Sequence, residues 1–180
     1  MISVVLAAYN GEKFIKDQLF SILNQSYPVD EIIVMDDKSN DHTLTCVEEV
    51  IVANKTSAKI SVFVNDNNLG YIRNFYEGIA KARGDYIFLS DQDDLWAVDK
   101  VKKMLEAMQT IKAEVLCSNF CLIDSEGNKL EREIIVPKFV KNAGSGVSKI
   151  AFLPLLFGNV AQGCTYCFTR KIQQIYINVA

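Results

Sequence analysis

The first 90 residues of the chain alternate short apolar segments with segments of helical periodicity, and this alternation constrains the fold more than any other feature. Apolar residues dominate residues 2–8, 31–35, 59–64 and 85–90, which predicts four strands. Three predicted helices separate them: one over residues 14–23, ended by Tyr27-Pro28, one that carries Leu44, Val47, Val50 and Ile51, and one over about 71–83. This βαβαβαβ order predicts an α/β fold with a mostly parallel sheet and helices on both faces.

The pattern loosens after Trp96, and the predicted elements become shorter and less regular. We expect a helix over residues 99–112, strands over 114–123, 129–136 and 163–169, a turn over 124–128, a mobile loop over 141–148, a short helix over 150–157 and a last helix from residue 171. No linker divides the chain, so residues 1–180 are interpreted as a single domain.

Composition excludes several classes of protein. The chain has 19 basic and 22 acidic residues, and this net charge of −3 argues against a nucleic-acid-binding protein that relies on a basic face. No apolar segment reaches the length of a membrane span, and residues 2–8 resemble a core strand more than a signal peptide. Five cysteines in 180 residues do not indicate a secreted disulfide scaffold, so we expect a reducing, cytoplasmic setting.

Acidic and polar residues follow the predicted strands at the points where the strands end. Asp36-Asp37 follows the second strand, Asp91-Gln92-Asp93-Asp94 follows the fourth, and Tyr9-Asn10-Gly11-Glu12 follows the first. In a parallel α/β sheet these ends meet at one edge, which is where ligands bind. Three carboxylates within four residues repel one another unless a cation lies among them, and Mg²⁺ prefers such oxygen ligands. The pattern predicts a metal site that meets the phosphates of a nucleotide.

Two common nucleotide-binding motifs are missing from the sequence. No Gly-x-Gly-x-x-Gly follows the first strand, and the lysine-containing phosphate loop of the P-loop NTPases is also missing. Because acidic residues stand where those motifs would be, phosphates are expected to be bound through a cation rather than through backbone N–H groups.

Several of these segments together resemble the family 2 glycosyltransferases, which have the GT-A fold. The resemblance is carried, in family order and over roughly the first 100 residues, by the segments VVLAAYNGE (4–12), SILNQSY (21–27), IIVMDDKSND (32–41), NLG (68–70) with Asn74, ARGDYI (82–87) and DQDDLW (91–96). The last segment is similar to the subgroup of rhamnosyltransferases.

The resemblance implies roles for individual residues. Ala8, Tyr9 and Glu12 are expected to line the nucleotide pocket, and Asp37 to contact the base or ribose. Asp91 and Asp93 match the Asp-x-Asp motif, so Asp91 is expected to face the ribose and Asp93 to bind Mg²⁺ or Mn²⁺. Asp94 is a further candidate metal ligand, and Arg73 is a candidate for contact with the diphosphate by its position alone. Residues 1–98 would then be the nucleotide-binding half and residues 99–180 the beginning of the acceptor-side half.

The resemblance also implies a reaction. We expect metal-dependent, inverting transfer of a sugar from a UDP- or dTDP-sugar to a glycan or lipid-linked acceptor, in the cytoplasm; peripheral association with the inner face of the membrane stays open. The family's carboxylate base follows a segment like residues 163–170, and no acidic residue follows Glu133. We therefore expect the base to lie beyond Ala180, and these 180 residues to bind the donor with little or no transfer.

Other interpretations of the same residues stay open. A nucleotidyltransferase also binds nucleotide and metal on an α/β sheet, and a nucleotide-sugar-binding module without turnover would need the same pocket. The acids at residues 91–94 and 36–37 could serve as exposed helix caps. Cys117, Cys121, Cys164 and Cys167 could hold zinc, although buried free thiols fit their apolar surroundings better.

Overall fold

A computed structural model describes residues 1–54, 57–124, 126–131 and 163–179. Six strands occupy β1 (Ile2–Ala8), β2 (Glu31–Asp36), β3 (Lys59–Val64), β4 (Tyr86–Asp91), β5 (Val115–Cys117) and β6 (Tyr166–Thr169). They form one sheet in the order β3-β2-β1-β4-β6-β5. The pairs β3–β2, β2–β1 and β1–β4 are parallel, whereas β6 is antiparallel to both of its neighbours.

Within the described ranges, five helices cover the two faces of the sheet, and a short 3₁₀ turn over Gly163–Thr165 precedes β6. The helices are α1 (Ile15–Leu23), α2 (Thr43–Ala53), α3 (Tyr71–Lys81), α4 (Lys100–Ile111) and α5 (Arg170–Val179). No helix in the described part of the chain is both long and apolar enough to cross a lipid bilayer.

Alternate side chains of β1 enter two separate hydrophobic cores. Val4 and Leu6 pack in a core with the apolar faces of α1, α2 and α4, while Val5 and Ala7 pack with α3 on the other face. A strand that is buried on both faces needs a continuous apolar sequence, and all seven residues of β1 are buried. The predicted α/β sheet with helices on both faces is therefore confirmed.

One of two predicted element ends is confirmed and the other is wrong. The first helix ends at Leu23, as predicted, and the Ser26 N–H then donates to the Val98 carbonyl oxygen at 2.8 Å. The strand predicted over residues 114–123 is limited to β5, because β6 offers only four residues for pairing. Beyond β5, Ser118 donates to the Thr165 carbonyl oxygen, and the chain then leaves the sheet.

The remaining elements of the second half were predicted with mixed success. The segment predicted as a strand over 163–169 begins with the 3₁₀ turn, and the last helix begins at Arg170. Of the strand predicted over 129–136, an isolated antiparallel bridge between Ile123 and Lys129 is observed, and residues 132–136 lie outside the described residues. The predicted loop over 141–148 and helix over 150–157 also lie outside them.

The cysteines are free thiols, but not all of them are buried as predicted. Cys46 and Cys167 are buried, Cys117 and Cys164 are partly buried, and Cys121 is exposed. Cys121 lies beyond the end of β5, where the chain has left the sheet, which explains why the prediction of burial is wrong for this residue. Among the described residues, the four thiols considered for zinc do not form a metal-ligand cluster.

Candidate functional site

The carboxyl ends of β1, β2 and β4 lie side by side at one edge of the sheet. The parallel register pairs Ala8 with Asp36 and Ala7 with Asp91, so the three chain segments leave the sheet at the same level. The polar residues that follow these strands are thereby brought together, as the sequence pattern predicts. This edge is the candidate site.

Hydrogen bonds join the loop after β1 to the loop after β2. In each of them a backbone N–H donates to a side-chain oxygen of the other loop, at distances between 2.7 and 3.1 Å. The donor and acceptor pairs are Asn10 to Ser39 Oγ, Gly11 to Thr43 Oγ1, Glu12 to Asp41 Oδ2, Asn40 to Asn10 Oδ1, and His42 to Glu12 Oε2. Because the bonds run in both directions, the two loops are held as one unit.

Glu12 takes part in this unit through its carboxylate. Its Oε2 accepts the His42 N–H at 2.9 Å, directly before the first residue of α2. An acidic side chain at this position satisfies a free N–H group at the beginning of a helix and interacts favourably with the helix dipole. The carboxylate predicted to line the nucleotide pocket therefore has a structural partner at α2.

Asp37 is buried and fixes the loop that follows β3. It is 2% exposed, and its carboxylate accepts hydrogen bonds from Leu69 N, Gly70 N and Asn65 Nδ2, each at 2.8 Å. A carboxylate has about four lone-pair sites, so three of them are engaged within the protein. Asp37 thus holds the loop after β3 in place beside the candidate site.

The acid loop, residues 91–94, carries three carboxylates of different exposure. Asp93 is exposed, whereas Asp91 and Asp94 are partly buried. Burial, together with the charges of Asp94 and Asp93, raises the pKa of Asp91 from its ordinary value of 3.8 to about 6. A carboxylate with such a pKa is held in an unfavourable charged state at neutral pH, which a bound cation would relieve.

Three potential ligand atoms, from Asp91, Asp94 and Cys164, lie within 4.8 Å of one another. Burial, and then the hydrogen bond with Asp94, raise the pKa of the Cys164 thiol, so this thiol stays protonated at neutral pH. Hard divalent cations prefer carboxylate oxygens, and the acids of this loop fit Mg²⁺ or Mn²⁺ by their chemistry. The structure groups Asp91 with Asp94 here, and the predicted ligand Asp93 lies outside this group.

Lys100 is a neighbour of the acid loop that the sequence pattern did not indicate. Its ammonium group lies 4.4 Å from the centre of the Trp96 ring and donates to the Cys164 carbonyl oxygen at 3.2 Å. Burial lowers the pKa of Lys100, and the charge of Asp94 opposes that shift. Lys100 therefore offsets part of the negative charge of the acid loop.

A buried glutamine of α1 forms hydrogen bonds to the acid loop and to the residues on either side of it. Gln18, on α1, is fully buried, and its amide oxygen accepts from Trp96 Nε1 at 3.1 Å and from Ser90 Oγ. In this orientation of the amide, its nitrogen donates to the Asp94 carbonyl oxygen. In the opposite orientation, the Gln18 amide oxygen would face the Asp94 carbonyl oxygen, and neither could donate. A single glutamine produces no periodic signal, so sequence reasoning could not select it.

A second glutamine, Gln92, connects the acid loop to Tyr9, the first residue after β1. The Tyr9 N–H donates to Gln92 Oε1 at 2.7 Å, and Gln92 Nε2 donates to the Tyr9 carbonyl oxygen at 2.9 Å. The Tyr9 side chain is 44% exposed and is available at the edge of the site, whereas the Ala8 side chain is buried. Arg73 is exposed in the first turn of α3, three residues after Gly70.

An open cleft of about 310 Å³ adjoins the acid loop. Asp93, Asp94 and Leu95 form one wall, and Phe14 and Asp17 of the α1 region form another. Ile123, Asp124, Glu126 and Gly127 complete the described lining. Asp93 and Asp94 thus face a space that is large enough for part of a small polar ligand.

Comparison with known proteins identifies related sequences. The family model described as glycosyl transferase family 2 matches residues 3–172. An uncharacterised glycosyltransferase of Haemophilus influenzae is 33% identical over 171 residues, which are 95% of this chain and 63% of that protein. The dTDP-rhamnosyl transferase RfbG of Shigella flexneri is 30% identical over 171 residues, which are 92% of this chain and 54% of that protein. The chain thus spans less than two thirds of the length of these relatives.

Solved structures share the fold. Residues 1–349 of S. aureus TarS in complex with UDP align with a TM-score of 0.72 at 20% identity, over 97% of this chain and 48% of that one. A mannosyltransferase of Pyrobaculum calidifontis in complex with GDP-Man and Mn²⁺ aligns with a TM-score of 0.68 at 15% identity, over 97% of this chain and 46% of that one. The fold of the described residues is therefore the GT-A fold.

Proposed function

The chain belongs to glycosyl transferase family 2, and from this premise we propose that it transfers a sugar from a UDP- or dTDP-sugar to a hydroxyl group of a glycan or lipid-linked acceptor. The observation that carries the proposal is the convergence of Tyr9 and the acid loop at one edge of the sheet. This edge combines an exposed aromatic ring with carboxylates that need a cation, as a nucleoside diphosphate requires.

The donor is proposed to lie across the ends of β1, β2 and β4. Tyr9 offers its ring to the nucleobase, with the backbone of Ala8 and the Glu12 loop beside it, and Asp37 forms the adjoining wall. Asp91 would accept a hydrogen bond from the ribose. Arg73, exposed on α3, remains the candidate cation for the diphosphate. The choice of UDP or dTDP is supported by two similar proteins: the structure with the same fold that was solved with UDP, and the relative named as a dTDP-rhamnosyl transferase.

The acid loop is proposed to hold Mg²⁺ or Mn²⁺ through Asp93 and Asp94. When bound, a divalent cation stabilises the negative charge that develops on the departing nucleoside diphosphate. The Mn²⁺ in the complex of the mannosyltransferase supports this choice of ion. When no cation is bound, the positive charge of Lys100 offsets part of the negative charge of the acid loop through its interaction with Asp94.

Transfer is proposed to proceed by direct displacement, with inversion at the anomeric carbon. The acceptor hydroxyl would approach through the cleft beside Asp93 and Asp94. Direct displacement needs a carboxylate base to remove the hydroxyl proton. We assign the acids of residues 91–94 to the donor and cation, so none of them is given the role of the base.

The reaction is proposed to take place in the cytoplasm. The free thiols of the five cysteines are compatible with a reducing compartment. If the acceptor is lipid-linked, the protein would meet it at the inner face of the membrane.

Calorimetric titration with UDP, dTDP and GDP, each with and without Mn²⁺, tests the proposed site. We expect UDP or dTDP to bind the wild-type protein, at least tenfold more tightly with Mn²⁺ than without it. Asp93→Ala should remove this enhancement and leave the circular dichroism spectrum unchanged, because Asp93 is exposed. Glu106→Ala, an exposed acid on α4, is the matched control and should bind like the wild type.

Two results would reject the proposal: no binding of any nucleotide, or equal and metal-independent binding of all three. A collapse of the circular dichroism spectrum in Asp93→Ala would instead assign this residue a structural role. Release of UDP or dTDP from the nucleotide sugar in the presence of a saccharide acceptor would exclude a binding module without turnover.

A further inference from the structure

Gln92 lies between two proposed ligand-binding acids, yet its own side chain turns away from them and pairs with the backbone of Tyr9. Its amide accepts from the Tyr9 N–H at 2.7 Å and donates to the Tyr9 carbonyl oxygen at 2.9 Å. The regular pairing of β1 with β4 ends at Ala7 and Asp91. Beyond that point the side-chain amide of Gln92 takes the place of a peptide group and continues the ladder by one step.

Gly11 provides the space that this amide occupies. A Cβ atom at residue 11 would lie 2.2 Å from Gln92 Oε1 and 2.5 Å from Gln92 Cδ. Carbon and oxygen atoms cannot approach so closely, so any larger residue at position 11 would displace the amide. We call the arrangement of Tyr9, Gly11 and Gln92 the amide clamp.

The amide clamp joins the two parts of the proposed donor site. On one side it holds the backbone of Tyr9, whose exposed ring is the proposed wall for the nucleobase. On the other side it belongs to the acid loop, with Asp91 and Asp93 as the adjacent residues in the chain. The base and the diphosphate of a nucleotide are covalently linked, so the spacing between these two protein groups decides whether one ligand can engage both.

We propose that Gln92 is a positioning residue that sets the spacing between Tyr9 and Asp93, and so makes the binding of base and metal-bound diphosphate a single event. This inference rests on the proposed function for the identity of the ligand. A ligand with two linked ends gains affinity when both sites are held at its own span, because the second contact is intramolecular. Loss of the clamp would reduce that gain without removing a contact to the nucleotide.

A double-mutant cycle of Gln92→Ala and Gly11→Ala tests the clamp from both sides. Gln92→Ala removes the amide, and Gly11→Ala pushes it away while leaving all of its atoms present. We expect each single variant to bind UDP or dTDP, whichever binds the wild type more tightly with Mn²⁺, about tenfold more weakly, since the two parts of the site are no longer held at the span of the ligand. The double variant should be no weaker than either single one, because alanine at residue 11 fits the space that Gln92→Ala vacates.

Fragments of the ligand distinguish positioning from local damage. Uridine or thymidine reports the base contact alone, and pyrophosphate with Mn²⁺ reports the acid loop alone. We expect both fragments to bind the variants within twofold of the wild type, because neither spans the two parts. Gln109→Ala, an exposed glutamine on α4, is the control and should match the wild type with every probe.

Additive losses in the double variant would overturn the inference, and so would an equal loss for the fragments and the whole nucleotide. If the wild type binds no nucleotide, the proposed function fails, and hydrogen exchange then decides the clamp independently. The Tyr9 amide should exchange about tenfold faster in Gln92→Ala and Gly11→Ala than in the wild type, as expected for a lost hydrogen bond. An unchanged rate in both variants would overturn the clamp itself.

Discussion

Asp91→Asn should stabilise the metal-free protein at alkaline pH and lose that advantage in acid. Burial and the neighbouring charges of Asp94 and Asp93 raise the pKa of Asp91 to about 6 in the folded protein. In the unfolded chain these surroundings are lost, and the group returns to its ordinary value of 3.8. The folded state therefore holds the proton more tightly than the unfolded state does.

The sign and size of the effect follow from proton linkage. The contribution of Asp91 to stability is most favourable below pH 4, where this group is protonated in both states, and it is lost as the pH rises from about 4 to about 6. The full difference between the two pKa values corresponds to about 3 kcal/mol at about 1.4 kcal/mol per pKa unit. Because the partly exposed loop can relax, we expect Asp91→Asn to recover about 1–2 kcal/mol at pH 8.

Urea unfolding in the presence of EDTA, followed by fluorescence, measures this difference. Trp96, the single tryptophan, is buried beside the acid loop and reports unfolding of that region. The difference between Asp91→Asn and the wild type should be about 1–2 kcal/mol at pH 8 and close to zero at pH 4. The exposed Asp66 provides the control variant Asp66→Asn, which should show no such dependence on pH. An equal difference at both pH values, or a less stable Asp91→Asn protein at pH 8, would refute the argument.

The remaining predictions concern the walls of the site and the packing behind it. Asp37→Ala should lower the free energy of unfolding by about 3 kcal/mol, because the N–H groups of Leu69 and Gly70 lose a buried, charged acceptor. Asp66→Ala in the same loop should cost less than about 0.5 kcal/mol, and equal losses in the two variants would contradict this role of Asp37. Gly78→Ala should destabilise by about 1–2 kcal/mol although alanine favours helices, since its Cβ would lie 2.4 Å from Val5 Cγ1. Thermal or urea unfolding measures this too, and a more stable Gly78→Ala protein would show that α3 can move away from the sheet.

The first half of the fold could be predicted from the sequence because its signals are local. Each early strand is an apolar segment that ends in a polar turn, and the bounds of β1 and β3 agree with the prediction. The short strands β5 and β6 could not be bounded in this way. Their limits depend on antiparallel pairing between segments about 50 residues apart, which no local periodicity records.

The candidate site was predictable where charge accumulates and not where single polar residues support it. The acid loop is recognisable because three carboxylates in four residues are costly without a cation. Gln18, Gln92 and Lys100 belong to no pattern that marks them in the sequence, because their roles arise from hydrogen bonds between distant segments. The structural partners of Glu12 and Asp37 were hidden for the same reason, because each partner lies about 30 residues away in the chain.

The pairing of β4 with β6 has a consequence for the protein while it is being made. β6 begins about 75 residues after β4 ends. At a synthesis rate of about 5–20 residues per second, β6 is therefore synthesised roughly 4–15 s after β4. During that interval Ile87 and Phe88 belong to an unpaired edge strand, the kind of surface from which aggregation begins. The nascent chain is therefore most prone to aggregation after its parallel strands have formed and before β6 pairs with β4.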